Sequence, residues 1–312
     1  MNAKNDLNVM NKISRAPLIL CIGIAVRDLV FRVKAMPETG RKTGAESFNE
    51  LSGGNAVNAA VGIARLGGRA AYCGPVGEDS DGLLNNIATL GIATGDVVRV
   101  PGARTPVSGI FIDAAGERTI ATHRSPLLAN GRCDNSDALA KDCDALCVDN
   151  RFPDFALPIC EAGMRRKIPV MIDVDRGMQA DHALIRTATH VIFSAQGLAE
   201  TSGLPDDFAA LTLMAQRTSA FVAVTRGPDG VLWLDQTGEL RHMPAFSVKA
   251  VDTLGAGDVF HGACTLMLAE GRGIEEALRF ASAAAALKRA TFGGAFATPA
   301  RDEVERFLVL NS

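Results

Sequence analysis

Asp252-Thr253-Leu254-Gly255-Ala256-Gly257-Asp258 is the stretch on which the reading of this chain turns. It follows a strand-like run, Phe246 to Val251, and opens a helix-like run, Val259 to Leu268. Two glycines let the backbone turn tightly and bring bare N–H groups close to a ligand. The helix start that follows adds unpaired N–H donors and the positive end of a dipole. Together these make an anion site, best suited to phosphate. A carboxylate, Asp258, stands at its rim. A phosphate cradle with an adjacent carboxylate base is what phosphorylation of an alcohol requires. Taken alone, the same residues could be a glycine turn in which Asp258 caps a helix.

Two better-known phosphate motifs do not fit. The Rossmann fingerprint needs a third glycine three residues after the second, and Phe260 stands there. A Walker A loop needs Lys and Ser/Thr after its last glycine, and the chain has no such run.

The 312 residues are 47% hydrophobic, enough for one large domain or two smaller ones. A net charge of −3, with no basic block, gives no electrostatic footprint for nucleic acid. No apolar run approaches the ~18 residues that span a bilayer, and Met1 to Arg15 lacks the apolar core of a secretory signal. The cysteines number seven and include no C-x-x-C, which reads as free thiols in a reducing cytoplasm. Ligand spacing for zinc is absent among the five histidines.

Strand-length apolar runs alternate with helical patterns. The strand candidates are Leu18 to Val26, Ala145 to Asp149, Pro169 to Val174, Val191 to Ser194, Phe221 to Thr225 and Gly230 to Leu234. Several are continuously apolar, as strands covered on both faces are. The helix candidates are Asn55 to Leu66, Phe155 to Arg166, Asp206 to Arg217, Val259 to Glu270 and Ile274 to Ala290. This alternation predicts an α/β fold around a mainly parallel sheet. Asp28 to Phe48 and Val107 to Thr122 break it. The second reads as a hairpin turning at Ala114-Ala115-Gly116-Glu117. Such inserts form either a small separate sheet, able to act as a water-excluding lid, or plain edge hairpins.

Further segments carry polar groups where ligands bind. In Ser52-Gly53-Gly54-Asn55-Ala56-Val57-Asn58, the glycines allow close backbone approach. Asn55 and Asn58, three apart, share a helix face and offer amides to sugar hydroxyls. Taken alone, helix capping by Asn55 and a solvated Asn58 explain them better. Asp28 follows the first strand candidate, at the edge of an open α/β sheet where ligands sit. Asp149-Asn150-Arg151 ends another strand, and Arg151 could hold an anionic group. Both could also be plain turn residues. Thr225-Arg226-Gly227-Pro228-Asp229-Gly230 joins two strands, either along a phosphate or as an ordinary hairpin turn.

The segment around Gly53-Gly54-Asn55 and the run Asp252 to Asp258 resemble the two signatures of the ribokinase-like (PfkB) carbohydrate kinases, in the same order. The likeness extends from about Leu18 to Leu308. Within the family it looks nearest to ketohexokinase and bacterial sulfofructose kinase, through Val251 to Ala263, Leu278 to Ser282 and Ala286-Leu287-Lys288. The resemblance implies one kinase domain over 1–312, with a central mainly parallel sheet flanked by helices. A small β-sheet lid would be inserted at about 28–48 and 105–123. It implies an ATP- and Mg2+-dependent transfer to a sugar hydroxyl, with a ketose or sulfo-sugar favoured, and a cytoplasmic homodimer joined through the lid. Asp258 corresponds to the base, and Gly255, Ala256 and Gly257 to the backbone anion hole. Asp28, Gly53, Gly54, Asn55, Asn58 and Arg151 correspond to the sugar side. Ser194, Thr225, Gly227, Gly230, Gly255 and Gly257 correspond to the nucleotide side. Asp252, with the backbone near Leu254 and Gly293, falls where many members hold K+. The family's N-x-x-E motif for magnesium reads Ser194-Ala195-Gln196-Gly197 here. A nucleoside kinase on the same fold and a non-catalytic sugar or nucleotide sensor are the alternatives. Arg27, Arg124 and Arg151 would favour an anionic substrate if they face its pocket.

Overall fold

The first apolar run breaks at Gly23. In the computed structural model, which describes residues 15–114 and 117–311, Leu18 to Val26 splits into β1 (Leu18–Ile22) and the start of β2 (Val26–Arg32). Gly23 has φ +150, and a Cβ there would lie 2.1 Å from the Asp149 carboxylate. Only glycine fits. β1 joins the central sheet and β2 a second one, so Asp28 lies within a strand of the second sheet rather than just after the first strand.

The remaining strands follow in chain order. They are β3 (Ser47–Gly53), β4 (Arg69–Cys73), β5 (Pro75–Val76), β6 (Val98–Arg99), β7 (Val107–Ile112), β8 (Arg118–His123) and β9 (Ala145–Asp149). Then come β10 (Val170–Val174), β11 (His190–Ser194), β12 (Phe221–Thr225), β13 (Val231–Leu234) and β14 (Leu240–Met243). Among the described residues the central sheet has the order β14-β13-β12-β11-β10-β9-β1-β4. It is parallel from β4 to β12, with β13 and β14 antiparallel at one edge. β9 and β10 are buried at every position, as their unbroken apolar runs require. The helices Asn55–Arg65, Ala256–Ala269 and Ile274–Arg289 cover one face, and Pro153–Arg165 and Asp207–Ala215 the other. Gly262 lets the first two of these approach closely, since a Cβ there would sit 2.6 Å from the Ala59 carbonyl oxygen.

The second sheet, β3-β2-β7-β8, is the separate lid sheet. The period of two sorts its side chains. Asp28, Ser108 and Thr122 are in register, as are Val30, Ile110 and Ile120. Alternate residues on the other face bring together the rings of Phe31, Phe48 and Phe111, with centroids 5.1 and 5.4 Å apart. The hairpin forms as expected, although Ala115 and Gly116 of its turn lie outside the described residues, as do residues 1–14.

One strand expectation fails. Phe246 to Val251 is irregular: Phe246 packs on helices instead of pairing with a strand, while Ala250 and Val251 are exposed. Phe246 meets Phe307 at 5.2 Å and the Arg279 guanidinium at 5.5 Å. Patterning also missed β4, β14 and the helix Asp81–Thr89. The seven cysteines are free, six of them buried. No helix among the described residues is long and apolar enough to cross a membrane.

A single carboxylate ties these parts together. Asp149, at the end of β9, accepts from the N–H groups of Ile24 (2.8 Å), Ala56 (3.1 Å) and Arg151 (2.9 Å). Burial pushes its carboxyl up to about 6, and the donated hydrogen bonds from Ile24 and Arg151 pull against that rise. Asp149→Ala would leave the buried Ile24 and Ala56 amides without partners, at about 1–3 kcal/mol each. Urea unfolding of this variant is expected to show a loss of at least about 2 kcal/mol; an unchanged midpoint would show that Asp149 is not the tie.

Candidate active site

The glycine run of Gly255 to Gly257 does form a helix start. Gly255 takes φ 74 as N-cap, and the helix begins at Ala256, three residues earlier than periodicity placed it. Asp258 therefore lies inside the first turn, beside the unpaired amides of that turn. Its Oδ2 accepts a 2.8 Å hydrogen bond from Asn58 Nδ2. The reading of Asn58 as a solvated residue fails because the Gly262–Ala59 approach draws the two helices together at this level. The protein packed around Asp258 pushes its carboxyl up to about 7. Burial is the largest cause and the neighbouring Asp173 charge adds to it, while the Asn58 bond opposes them.

Two clefts meet at this turn. The first is lined by Asp28, Gly54, Asn55, Asn58, Gly255 and Asp258, together with Arg124, Arg151 and Arg176. Gly54 has φ +97, and a Cβ there would be 2.4 Å from the Ile24 carbonyl oxygen. Gly53 lies against Asp28, whose Oδ2 would be 2.0 Å from an added Cβ. The lid contributes Asp28, Ser108, Ile110, Ile120 and Thr122. Burial raises the Asp28 carboxyl to about 6, against a hydrogen bond from Ser108. Arg27 points to the opposite face of β2, where its Nε donates to Glu50 Oε1 at 2.9 Å, so it does not line the cleft.

The second cleft, on the other side of Gly257, is lined by Thr225, Gly227, Gly230, Phe246, Ser282 and Arg289. Gly230 is needed for chain geometry as well: it has φ +91, and a Cβ would meet the Met243 carbonyl oxygen at 2.0 Å. Ser194 has a local task. Its Oγ caps the helix Ala195–Ser202 through Gly197 N at 2.8 Å and donates to the Asp175 carbonyl oxygen at 3.1 Å.

Carboxylates that sequence reading missed stand behind Asp258. Asp173 is the last residue but one of β10, and Asp175 directly follows the strand. Asn55 Nδ2 lies 3.4 Å from Asp173 Oδ2, and His261 Nε2 lies 3.5 Å from Asp173 Oδ1. Burial, then the charges of Asp175 and Asp149, raises the Asp173 carboxyl well above its ordinary range. Oδ1 of Asp173 and of Asp175 are buried with no hydrogen-bond partner. Unpartnered hard oxygens fit a magnesium ion, which prefers one or two carboxylates plus substrate phosphates. No cluster of three metal-ligating side chains forms among the described residues. Asp173 and Asp175 are thus the residues that would hold magnesium in place of the missing N-x-x-E. The signal was present in the sequence as Asp-Val-Asp at the end of an apolar run.

Asp252 is enclosed by donors. Leu254 N bonds Oδ1 at 2.8 Å, and Gly293 N and Gly294 N bond Oδ2 at 3.1 and 2.8 Å. Lys288, which sequence reading had noted only as part of a resemblance, reaches the Asp252 carbonyl oxygen at 2.9 Å and Oδ2 at 3.3 Å. Its sequence signal was a lysine on the apolar face of an Ala-rich helix.

Comparison with known proteins agrees with this fold. The profile of the pfkB family carbohydrate kinases matches residues 16–301. A ribokinase of Bacillus subtilis is 29% identical over 306 residues, covering 93% of this chain and 99% of the relative. An ATP-dependent ribose-1-phosphate kinase of Halopiger xanaduensis is 29% identical over 294 residues, covering 93% and 97%. The crystal structure of an Agrobacterium tumefaciens protein, provisionally called a ribokinase, superposes with a TM-score of 0.89 at 34% identity, covering 95% and 98%. These relatives give no support to a specific place beside ketohexokinase and sulfofructose kinase. They do establish the fold as ribokinase-like and the activity as phosphoryl transfer to a sugar: the chain belongs to the pfkB family of carbohydrate kinases.

Proposed function

We propose that the chain transfers the γ-phosphoryl group of ATP to a hydroxyl of a sugar that itself carries an anionic group: a phosphate, sulfonate or carboxylate. The observation that carries this reading is the set of three arginines, Arg124, Arg151 and Arg176, in the cleft of Asp258. Arg151 is paired with Asp175. Among the described residues, no carboxylate lies within ion-pair distance of Arg124 or Arg176. Arg124 donates to the Arg151 carbonyl oxygen at 3.3 Å and lies over the Phe152 ring, 5.5 Å from its centroid; a charged substituent would give it and Arg176 the anionic partner that a neutral sugar lacks. The ribose-1-phosphate kinase relative is named for such a substrate.

In the proposed reaction the sugar spans Asp28 on the lid and Asn55 and Asn58 on the core. Asp258 takes the proton of the attacking hydroxyl as its oxygen bonds the γ-phosphorus. The bond from that phosphorus to the β–γ bridging oxygen breaks, and ADP leaves. The amides of Gly255, Ala256 and Gly257 stabilise the phosphoryl oxygens. Thr225, Gly227 and Gly230 line the nucleotide. Magnesium, when bound, offsets phosphate charge. Lid and core form one kinase domain, and the exposed Phe48 of the outer lid face, beside Phe31 and Phe111, offers a surface for a homodimer. Unpaired cysteines fit a reducing cytoplasm.

A second reading, phosphorylation of neutral ribose, is favoured by the ribokinase relatives. A nucleoside substrate has no observation of its own in the cleft, and an intact Asp258 with its glycine turn argues against a non-catalytic sensor.

Asp258→Asn is expected to lower kcat by at least about a thousandfold while leaving melting temperature and ATP binding near normal. Because the acid form predominates below about 7, wild-type kcat/KM should rise roughly tenfold between pH 6 and 8. A flat profile, or near-normal turnover by Asp258→Asn, removes Asp258 as the base. For the substrate, ribose against its phosphates, fructose against a sulfonated ketose and glucose against gluconate form matched pairs. An anionic member should exceed its neutral partner at least tenfold in kcat/KM, and Arg124→Ala or Arg176→Ala should remove about 1.4 kcal/mol of that preference. If neutral ribose gives the highest value and the arginine variants leave it unchanged, the second reading holds instead. Light scattering should report a dimer that Phe48→Glu dissociates; a wild-type monomer excludes the lid interface.

A further inference from the structure

We infer that the Lys288 ammonium is a built-in counter-ion of the phosphoryl-transfer turn and takes the place of a monovalent metal ion there. This rests on the reading of Gly255 to Gly257 as the anion hole. Lys288 is completely buried on the helix Ile274–Arg289. Its Nζ meets the main-chain oxygen of Asp252 at 2.9 Å and the carboxylate Oδ2 at 3.3 Å. A potassium ion at this place would need those same oxygens. An ammonium group has nearly the size of that ion and carries the same charge, so both cannot occupy one buried site.

The remaining geometry already crowds Asp252 with donors. Its carboxylate already accepts from Leu254, Gly293 and Gly294. Arg118 of lid strand β8 adds a second positive charge, 3.9 Å from Oδ1. Burial by itself would raise the Asp252 carboxyl; these amides and the Lys288 ammonium outweigh it and hold the group below its ordinary value. Burial lowers Lys288, and the pairing with Asp252 opposes that.

The charge acts on the turn through short covalent and hydrogen-bonded steps. Asp252 Oδ1 fixes Leu254 N, and Leu254 precedes Gly255, the left-handed N-cap of the helix that carries Asp258. Val251 N and Asp252 N are bonded to the Arg289 carbonyl oxygen, next to Lys288, at 2.7 and 3.1 Å. Lys288 is therefore a positioning residue. It sets where the anion-hole amides point and does not touch the sugar.

The test uses the full chain in potassium, sodium and tetramethylammonium salts at equal ionic strength. Wild-type kcat and melting temperature should be the same in all three, kcat within about twofold. Lys288→Met should lower kcat about tenfold or more with little change in sugar KM, since the loss falls on the transition state. Lys288→Ala, which frees the space, should gain both melting temperature and kcat from potassium but not from tetramethylammonium. Lys288→Arg should keep the salt independence. Activation or stabilisation of the wild type specifically by potassium overturns the inference, as does a folded Lys288→Met enzyme with wild-type kcat. The wild-type melting series needs no sugar, so an error about the substrate and an error about the cation fail in different experiments.

Discussion

The structure depends on a carboxylate placed where three segments need an acceptor. Asp149 receives the N–H of Ile24, where the chain leaves the core for the lid, and the N–H of Ala56, where the sugar-side helix begins. It also fixes Arg151, which lines the cleft. Gly23 and Gly54 follow from this arrangement, because neither position has room for a Cβ. The early glycine-rich segment is thus less a flexible loop than a close-packed joint. A charge kept this far from water is costly. The hydrogen bonds offset that cost and convert it into a fixed relation between sheet, helix and lid.

Around that joint the protein concentrates negative charge. Asp149, Asp173, Asp175 and Asp258 influence one another, and mutual repulsion together with burial raises Asp173 and Asp258. A carboxyl poised near neutrality, that of Asp258, is one product of this crowding. Unpartnered acceptor oxygens, suited to a divalent ion, are another. Positive charge is placed at the periphery of the cleft by Arg124, Arg151 and Arg176, and behind the turn of Gly255 to Gly257 by Lys288. The field at the transferring phosphoryl group is the sum of these layers, and no single residue supplies it.

Much of this was legible in the sequence, and what was not has identifiable causes. The continuous apolar runs gave the parallel strands, and the Gly-Ala-Gly turn gave the helix start and Asp258. Single-residue breaks were invisible: Gly23 divides one apolar run between two sheets because of a contact 126 residues away in sequence, and no local pattern records that. Phe246 to Val251 has strand composition but forms no strand: helices take Phe246, and Val251 stays half exposed. The tasks of Asp173, Asp175 and Lys288 depend on which buried partners they meet. The family resemblance supplied a monovalent-cation position at Asp252, yet only the fold brings a lysine to it.

On the proposed reading, the groups that hold the sugar belong to different parts of the molecule: Asp28 is on the lid sheet, while Asn55 and Asn58 are on a core helix. A bound sugar is therefore a mechanical bridge between them, and the free energy of its contacts is the same free energy that holds the lid down. Selectivity and water exclusion become one quantity. A poor sugar forms a weaker bridge and leaves the phosphoryl group open to solvent for a larger fraction of the time, so the fidelity of the enzyme toward its substrate also sets its thrift with ATP.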